Sequence, residues 1–429
     1  MALTTITPGR ALAMKIQQIK TPGGITAWLV EERSVPLIAM RYAFEGGSAQ
    51  NPVGKEGLAN FLAGMLDEGA GDLNAKQFQE RMEEIAMRMN FEDGRDSFYG
   101  SFETLTENRD RAVDLLALAI NKPRFDAEAI ERMRAQFLAS LAYAQRDPTR
   151  VAFEQWMALA FAEHPYGRPP NGTPQSVAKI ARSDLDDFCA RLFAKDTLRV
   201  AVVGDIDAKT LSVMLDRIFG GLPATAKLVP VTRTEPKAAH RLKIVDMNVP
   251  QSVARFGFPA MARQDKDFMP AFVLNNIVGG GFASRLYIEV REKRGLAYGV
   301  DTTIVPLKHA SLFFGSVATK NEEIGQSLEL IRSEFKRVAT EGVTEAELAD
   351  AKSYLTGSFA LRFDTSANIA NQLLWTMVEG LGPDYIDNRN DMINAVTLDD
   401  IKRVAKRLFD GKEPLVMVVG KPKGLTPGG

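Results

Sequence analysis

The segments SDLDDFCARLFAKDTLRVAVVG (Ser183–Gly204) and TLDDIKRVAKRLFDGKEPLVMVVG (Thr397–Gly420) are two versions of one plan. Each opens on Ser or Thr, residues whose side-chain oxygens accept hydrogen bonds from the free N–H groups of a helix start. Apolar residues then recur at helical spacing through a Leu-Phe pair, and a short apolar run closed by Val-Val-Gly reads as a buried strand. The copies lie about half the chain apart. That separation far exceeds the roughly 20–50-residue period of a solenoid, so the pair marks a duplicated domain.

The remainder of the chain falls into the same two passes. Each begins with strands, from Lys15–Ile19 through Ala39–Phe44 in the first and from Arg241–Val245 through Val253–Phe258 in the second, followed by a helix at Gly57–Leu66 or Phe268–Val278. Between them, Pro223–Ala239 is proline-containing and lacks a helical period, as a linker does. The chain therefore divides into residues 1–222, a linker at 223–239 and residues 240–429. Strands interleaved with long helices, without strict alternation, predict an α+β fold whose two duplicated halves are each a largely antiparallel sheet with helices packed on it.

Composition narrows the function. Hydrophobic residues make up 45% and charged residues 25% of 429, the balance of a compact globular protein too long for one core. Fifty-three basic against 54 acidic residues leave a formal charge of -1, which provides no global field for nucleic acid or an anionic membrane. The longest apolar runs, such as Leu198–Gly204, fall far short of the roughly 18 residues that cross a bilayer, so no membrane span is expected. The opening MALTTITPGRALAMKIQQIK has no basic segment followed by a continuous apolar core. The compartment stays open: periplasmic if a leader has been removed, cytoplasmic otherwise. Cys189 is the single cysteine, which excludes an intrachain disulfide and a thiolate-rich metal cluster.

One helix is oddly bare. In GLANFLAGMLDEG (Gly57–Gly69), Leu58, Phe61, Leu62, Met65 and Leu66 form an apolar stripe at i, i+3, i+4, i+7 and i+8. The opposite face carries only Asn60, Ala63 and Gly64, and a glycine inside a helix costs about 1 kcal/mol relative to alanine.

Several phrases together resemble one family, the pitrilysin-like or insulinase-type zinc metallopeptidases, which include the mitochondrial processing peptidase. They are Gly57–Leu66, Lys122–Phe125, His164–Gly167 with Gly172-Thr173, the Val-Val-Gly closures and, above all, GGGFASRLYIEVREKRGLAY (Gly279–Tyr298). The resemblance runs over nearly the whole chain and implies duplicated α+β halves forming half of a clam-like chamber. In active members the first-half helix carries His-x-x-Glu-His, because histidines at i and i+4 share one helix face and hold zinc while the glutamate acts as general base on bound water. Aligned on that phrase, those places are Asn60, Ala63 and Gly64 here, so the bare face is a zinc face without ligands. The family's third ligand falls near Glu131, a lone carboxylate that reads as a helix-surface charge. His164, His240 and His309 are far apart in sequence and offer no helical pairing. No metal is expected in this chain.

In the second half, Ala283–Lys293 reads as a helix with Leu286 and Val290 buried, Gly295 suits a left-handed position after its end, and a strand follows from Leu296. By spacing alone, Arg291 complements the helix dipole and Tyr298 packs in the core. The resemblance implies otherwise: Arg291 and Tyr298 match an Arg and a Tyr that face the zinc across the chamber and hold the substrate carbonyl and the developing oxyanion. Gly279, Gly280 and Gly281 match a glycine-rich substrate loop of the processing peptidase's non-catalytic subunit, and they are equally ordinary turn chemistry. Cys189, inside a helix with no histidine near it in sequence, reads as a structural thiol rather than a nucleophile.

The expectation is a non-zinc subunit of a heterodimeric zinc metallopeptidase that degrades peptides. Its partner, a catalytic subunit of the same family carrying His-x-x-Glu-His, would hold the zinc. The alternative is a non-enzymatic assembly or peptide-binding protein of the same fold.

Overall fold

In a computed structural model, which describes residues 14–237 and 242–426, the two passes become two sheets. The first half contributes strands β1 (Gln17–Lys20), β2 (Thr26–Glu31) and β3 (Leu37–Glu45), a small separate hairpin of β4 (Gly69–Ala70) and β5 (Leu73–Asn74), then β6 (Arg88–Asp93), β7 (Ser97–Leu105) and β8 (Arg199–Gly204). The second contributes β9 (Leu242–Asp246), β10 (Gln251–Pro259), β11 (Ala297–Pro306), β12 (Ser311–Lys320) and β13 (Leu415–Gly420).

The first sheet runs β1-β2-β8-β3-β7-β6 and the second, read from its other edge, β9-β13-β10-β12-β11. Apart from β1 the orders correspond strand for strand. Each sheet has one parallel pair, β2 with β8 and β9 with β13, and is otherwise antiparallel. Those parallel pairs involve the two closing strands, which insert between earlier strands and are covered on both faces. Their near-continuous Val-rich runs follow from that burial. Both end on a glycine at nearly the same positive φ, +147° at Gly204 and +145° at Gly420.

One face of each sheet carries helices of its own half; the other carries a helix from the opposite half. The Pro148–Phe161 helix packs on β10 and β13. There Trp156 is fully buried, donates its indole N–H to the Leu415 carbonyl at 2.9 Å and meets Phe314 edge-on at 4.7 Å. In return, Leu373, Leu374 and Met377 of the Ser366–Val378 helix pack against Trp28, Ala201 and Val203 of the first sheet. This exchange joins the halves into one structure.

Some local expectations are corrected. Ser183 does not cap its helix, which begins at Arg182; the Asp184 carboxylate instead takes the Ala181 N–H at 2.7 Å. Thr397 does cap its own helix, in a reciprocal box with Asp400. The helix expected over Gly57–Leu66 spans only Leu58–Ala63, so Gly64 lies at its C-cap rather than inside it. Residues 223–237 have no regular structure but are tied down, Val229 exchanging hydrogen bonds with the Gln50 amide and Lys237 donating to Ala160. No helix among the described residues is long and apolar enough to cross a membrane.

Candidate functional site

The bare face of the Leu58–Ala63 helix is not open space. Asn60 donates its amide N–H to Asp93 at 2.9 Å, with the Asn171 side-chain oxygen at 3.4 Å. The second Asp93 oxygen is buried without a partner, and burial pushes this carboxyl up to about 6. Ala63 is buried. A Cβ added at Gly64 would sit 3.2 Å from both the Met133 sulfur and the Phe137 ring. These apolar side chains of the Ala127–Ala144 helix, with the Phe61 ring tilted against Phe137 at 5.4 Å, occupy the ground that ligands would need.

Glu131 lies on the exposed side of that helix and pairs with Arg134 at 3.2 Å. His164 accepts the Tyr166 N–H at Nδ1 (3.1 Å), and its Nε2 lies 2.9 Å from the Thr232 carbonyl. His309 packs beside Tyr166, and desolvation lowers its pKa. His240 lies outside the described residues. Cys189 is partly buried in the Arg182–Leu192 helix, where burial raises its thiol pKa far above the reactive range. Among the described residues, no group of three His, Cys, Asp or Glu side chains is placed to hold a metal ion.

The second half builds something different. The Phe268–Val278 helix ends in Gly279 and Gly280, whose N–H groups both donate to the Asn275 carbonyl at 2.9 Å. A Cβ at Gly279 would lie 2.4 Å from Thr302 Oγ1, and one at Gly280 would lie 2.7 Å from Asn276 Cα. Packing alone therefore demands glycine at both. Gly281 has nothing within 4 Å and alone among the three faces open space.

After this turn, Arg285 forms a two-pronged ion pair with Glu347 at 2.6 and 2.8 Å, whose carboxyl it holds down at about 2. The helix expected over Ala283–Lys293 then widens into a π-helical turn over Tyr287–Glu292, with Leu286 and Val290 fully buried beneath it. Gly295 takes a left-handed φ of +62° and returns the chain to β11. That strand starts with a bulge: Ala297 faces Thr319 and Gly299 faces Ala318, leaving Tyr298 unpaired and 84% exposed.

Both irregularities present side chains to solvent. The Arg291 guanidinium lies 4.6 Å from the centre of the Tyr298 ring and 4.8 Å from that of Tyr287, and it donates to the Tyr287 hydroxyl. Phe282, 78% exposed, abuts Tyr287 edge-on at 5.1 Å. Tyr298 is thus on the surface rather than in the core. Tyr287 was missed by sequence reasoning, although its place one helical turn before Arg291 was a usable signal. The cluster offers a delocalised cation and phenolic donors to an electron-rich oxygen.

Residues 31–173 match the family profile of the insulinase peptidases, M16, and residues 179–355 match that of the peptidase M16 inactive domain. The chain is 28% identical to a non-peptidase homolog, YmxG, of Helicobacter pylori, over 88% of this chain and 87% of that protein. It is 25% identical to an uncharacterized zinc protease of Streptomyces coelicolor, over 95% and 90% of the two chains. A crystal structure of a peptidase M16 inactive domain from Pseudomonas fluorescens superposes with a TM-score of 0.90 at 26% identity, covering 96% of this chain and 99% of that one.

Proposed function

The chain belongs to the insulinase family of peptidases, M16, and from that premise we propose that it is the zinc-less subunit of a two-chain metallopeptidase that degrades peptides. The observation that carries this reading is an asymmetry. The first-half face is closed over by Met133 and Phe137 where metal ligands would stand, whereas the second-half Arg291 and Tyr298 are held together on the surface. A relative named a non-peptidase homolog and a neighbour named an inactive domain fit the first part of that asymmetry.

In the proposed complex the partner carries His-x-x-Glu-His, and its zinc supplies the activated water. This chain closes the chamber around an extended peptide and supplies donors. The Tyr298 hydroxyl donates to the scissile carbonyl oxygen, and the Arg291 guanidinium stabilises the negative charge that grows on that oxygen as water adds. Donors aimed in advance at developing charge act mainly on the transition state and are worth about 10²–10³ in rate each. Tyr287 is a positioning residue that holds the guanidinium in place. Of the three glycines, Gly281 is the one with room for a peptide backbone beside it.

The test is peptide hydrolysis by the chain co-expressed with the His-x-x-Glu-His subunit, comparing wild type with the Arg291→Ala/Tyr298→Phe double variant at equal complex concentration. A loss of rate of about 10² or more with assembly intact supports the reading. Equal rates overturn the donor role and leave the chain as chamber wall or scaffold. Stoichiometric zinc in this chain alone would refute its place as the zinc-less subunit.

A further inference from the structure

A cavity of about 900 Å³ lies between the two halves, and none of Phe282, Tyr287, Arg291 and Tyr298 lines it. Its wall includes Arg263, which stands near the start of the Phe268–Val278 helix, while the glycine turn stands at its other end. At 1.5 Å per residue the two are separated by about 15 Å along the helix axis.

Arg263 is only 6% exposed, and its Nε and Nη2 are buried without any hydrogen-bond partner. Three rings from three elements surround the guanidinium: Phe268 at 4.3 Å, Tyr385 at 4.9 Å and Trp375 at 5.4 Å. Ring faces attract a cation, but they do not replace the acceptors that a buried guanidinium loses on leaving water. A second guanidinium, Arg389, is 5% exposed on the same wall; it is bonded to the Leu355 carbonyl at 3.1 Å and stacked on Phe359 at 4.1 Å.

The cavity's own carboxylates do not answer Arg263. Asp96 is engaged by the Tyr166 hydroxyl and the Lys308 N–H, and Glu45 pairs with Lys308. Glu379 lies near enough to act on Arg263 electrostatically, and it forms no hydrogen bond with it. The unused Nε and Nη2 form one side of the guanidinium, the fork that takes both oxygens of a carboxylate at once. Phe272, Phe359 and Met377 give the wall apolar ground, further guanidinium groups at Arg95, Arg199 and Arg362 line it as well, and the volume suits a small ligand.

We propose that this inter-half cavity binds a carboxylate carried on an apolar or aromatic body, with Arg263 as its anchor. Two sources share that chemistry: the free C-terminus of a short peptide and a free aryl-alkanoic acid. The fork is covered by rings, so the ligand displaces one on entry. Trp375, 41% exposed, is the least buried of the three and reports the event, because Trp28 and Trp156 are 5% and 0% exposed. The inference stands independently of the peptidase reading, since it concerns the chain alone and a different end of the helix.

The experiment titrates the full chain with acetyl-Leu-Phe, its C-terminal amide and 3-phenylpropionate, read by tryptophan emission and by calorimetry. The expected result is saturable binding of at least one acid with a change in Trp375 emission, and binding of the amide about tenfold weaker or more. Arg263→Gln should abolish acid binding, and Arg263→Lys, which keeps the charge but not the fork, should weaken it about fivefold or more. Tighter binding of the dipeptide acid identifies a peptide end; equal or tighter binding of 3-phenylpropionate identifies a free acid. Equal affinities for the acid and its amide on the wild-type chain overturn the proposal, and that comparison does not depend on how the variants fold. So does the absence of acid binding up to about 10 mM.

Discussion

Arg291 rests its guanidinium 4.6 Å from the centre of the Tyr298 ring, although one residue belongs to a π-helical turn and the other is extruded from a strand by a bulge. Each irregularity departs from the regular element that the local sequence favours. Such departures concentrate where a side chain must be re-aimed. Here both departures leave the pair on the surface and stacked, with the Tyr287 ring also within 4.8 Å of the cation.

Tyr287 gives the first prediction. Its hydroxyl accepts a hydrogen bond from Arg291, and its ring lies 4.8 Å from the guanidinium, so Tyr287→Phe keeps the stack and removes only the hydroxyl. In the two-chain peptidase the variant should lose about three- to tenfold in kcat with KM nearly unchanged, the net size of one ordinary hydrogen bond on a solvent-facing surface. An unchanged kcat would show that the stack alone holds Arg291.

The duplicated halves were legible because burial leaves a periodic trace: Val-Val-Gly closures and Leu-Phe helices recur wherever a strand or helix is buried in the same way. What those elements pack against leaves no such trace. Nothing in the Trp156 or Leu373 segments says that each lies on the other half's sheet, since an apolar stripe records that it is covered and not by what. The site was half legible for the same reason. Arg291 and Tyr298 came from resemblance to a long phrase, but the π turn and the bulge are set by packing of Leu286, Val290 and Thr319 that no local period encodes. Arg263 gave no sequence signal, because two of its three rings, Trp375 and Tyr385, come from a part of the chain far away in sequence.

Restoring the family's motif should not restore its metal. In the Asn60→His/Ala63→Glu/Gly64→His variant, the new side chain at position 64 must displace Met133 and Phe137, each 3.2 Å from where its Cβ would lie, and Glu131 points elsewhere toward Arg134. The triple variant should bind no stoichiometric zinc and lose about 1–3 kcal/mol to overpacking. Adding Phe137→Glu provides a carboxylate on the facing surface and should be the change that raises zinc content, measured by elemental analysis. One zinc per chain in the triple variant would refute this account of the closed face.

Asp93 should make stability depend on pH in a stated direction. Its carboxyl is raised to about 6 in the folded chain, so folding favours its protonated form. That contribution is present at low pH and is lost as pH rises from about 4 through 6, leaving a buried charge with one unpartnered oxygen at pH 7. Asp93→Asn should therefore stabilise the chain at pH 7 by on the order of 2 kcal/mol, with the gain fading toward pH 4. Urea denaturation at pH 4, 5, 6 and 7 measures it, and a gain that is constant across that range would contradict the assignment.

The closing glycines test the duplication itself. Gly204 and Gly420 end equivalent strands at φ values of +147° and +145°, a region that side-chain-bearing residues rarely enter. A Cβ at Gly204 would lie 2.1 Å from the Leu37 carbonyl oxygen, whereas one at Gly420 would first meet the Ser252 hydroxyl at 2.4 Å and then its Cα at 2.8 Å. Both alanine variants should therefore destabilise the chain, by at least the ~1–3 kcal/mol of a strained backbone. Gly204→Ala should be the worse, because a carbonyl held in the β3 ladder cannot turn aside as a serine hydroxyl can. The gap between them should widen when Gly420→Ala is combined with Ser252→Ala, which removes the clashing hydroxyl and leaves only the backbone strain. Thermal unfolding of the four chains, wild type included, decides it. A Gly204→Ala variant that melts with wild type would mean that the strand end relaxes freely and that the shared glycine is not a demand of the fold.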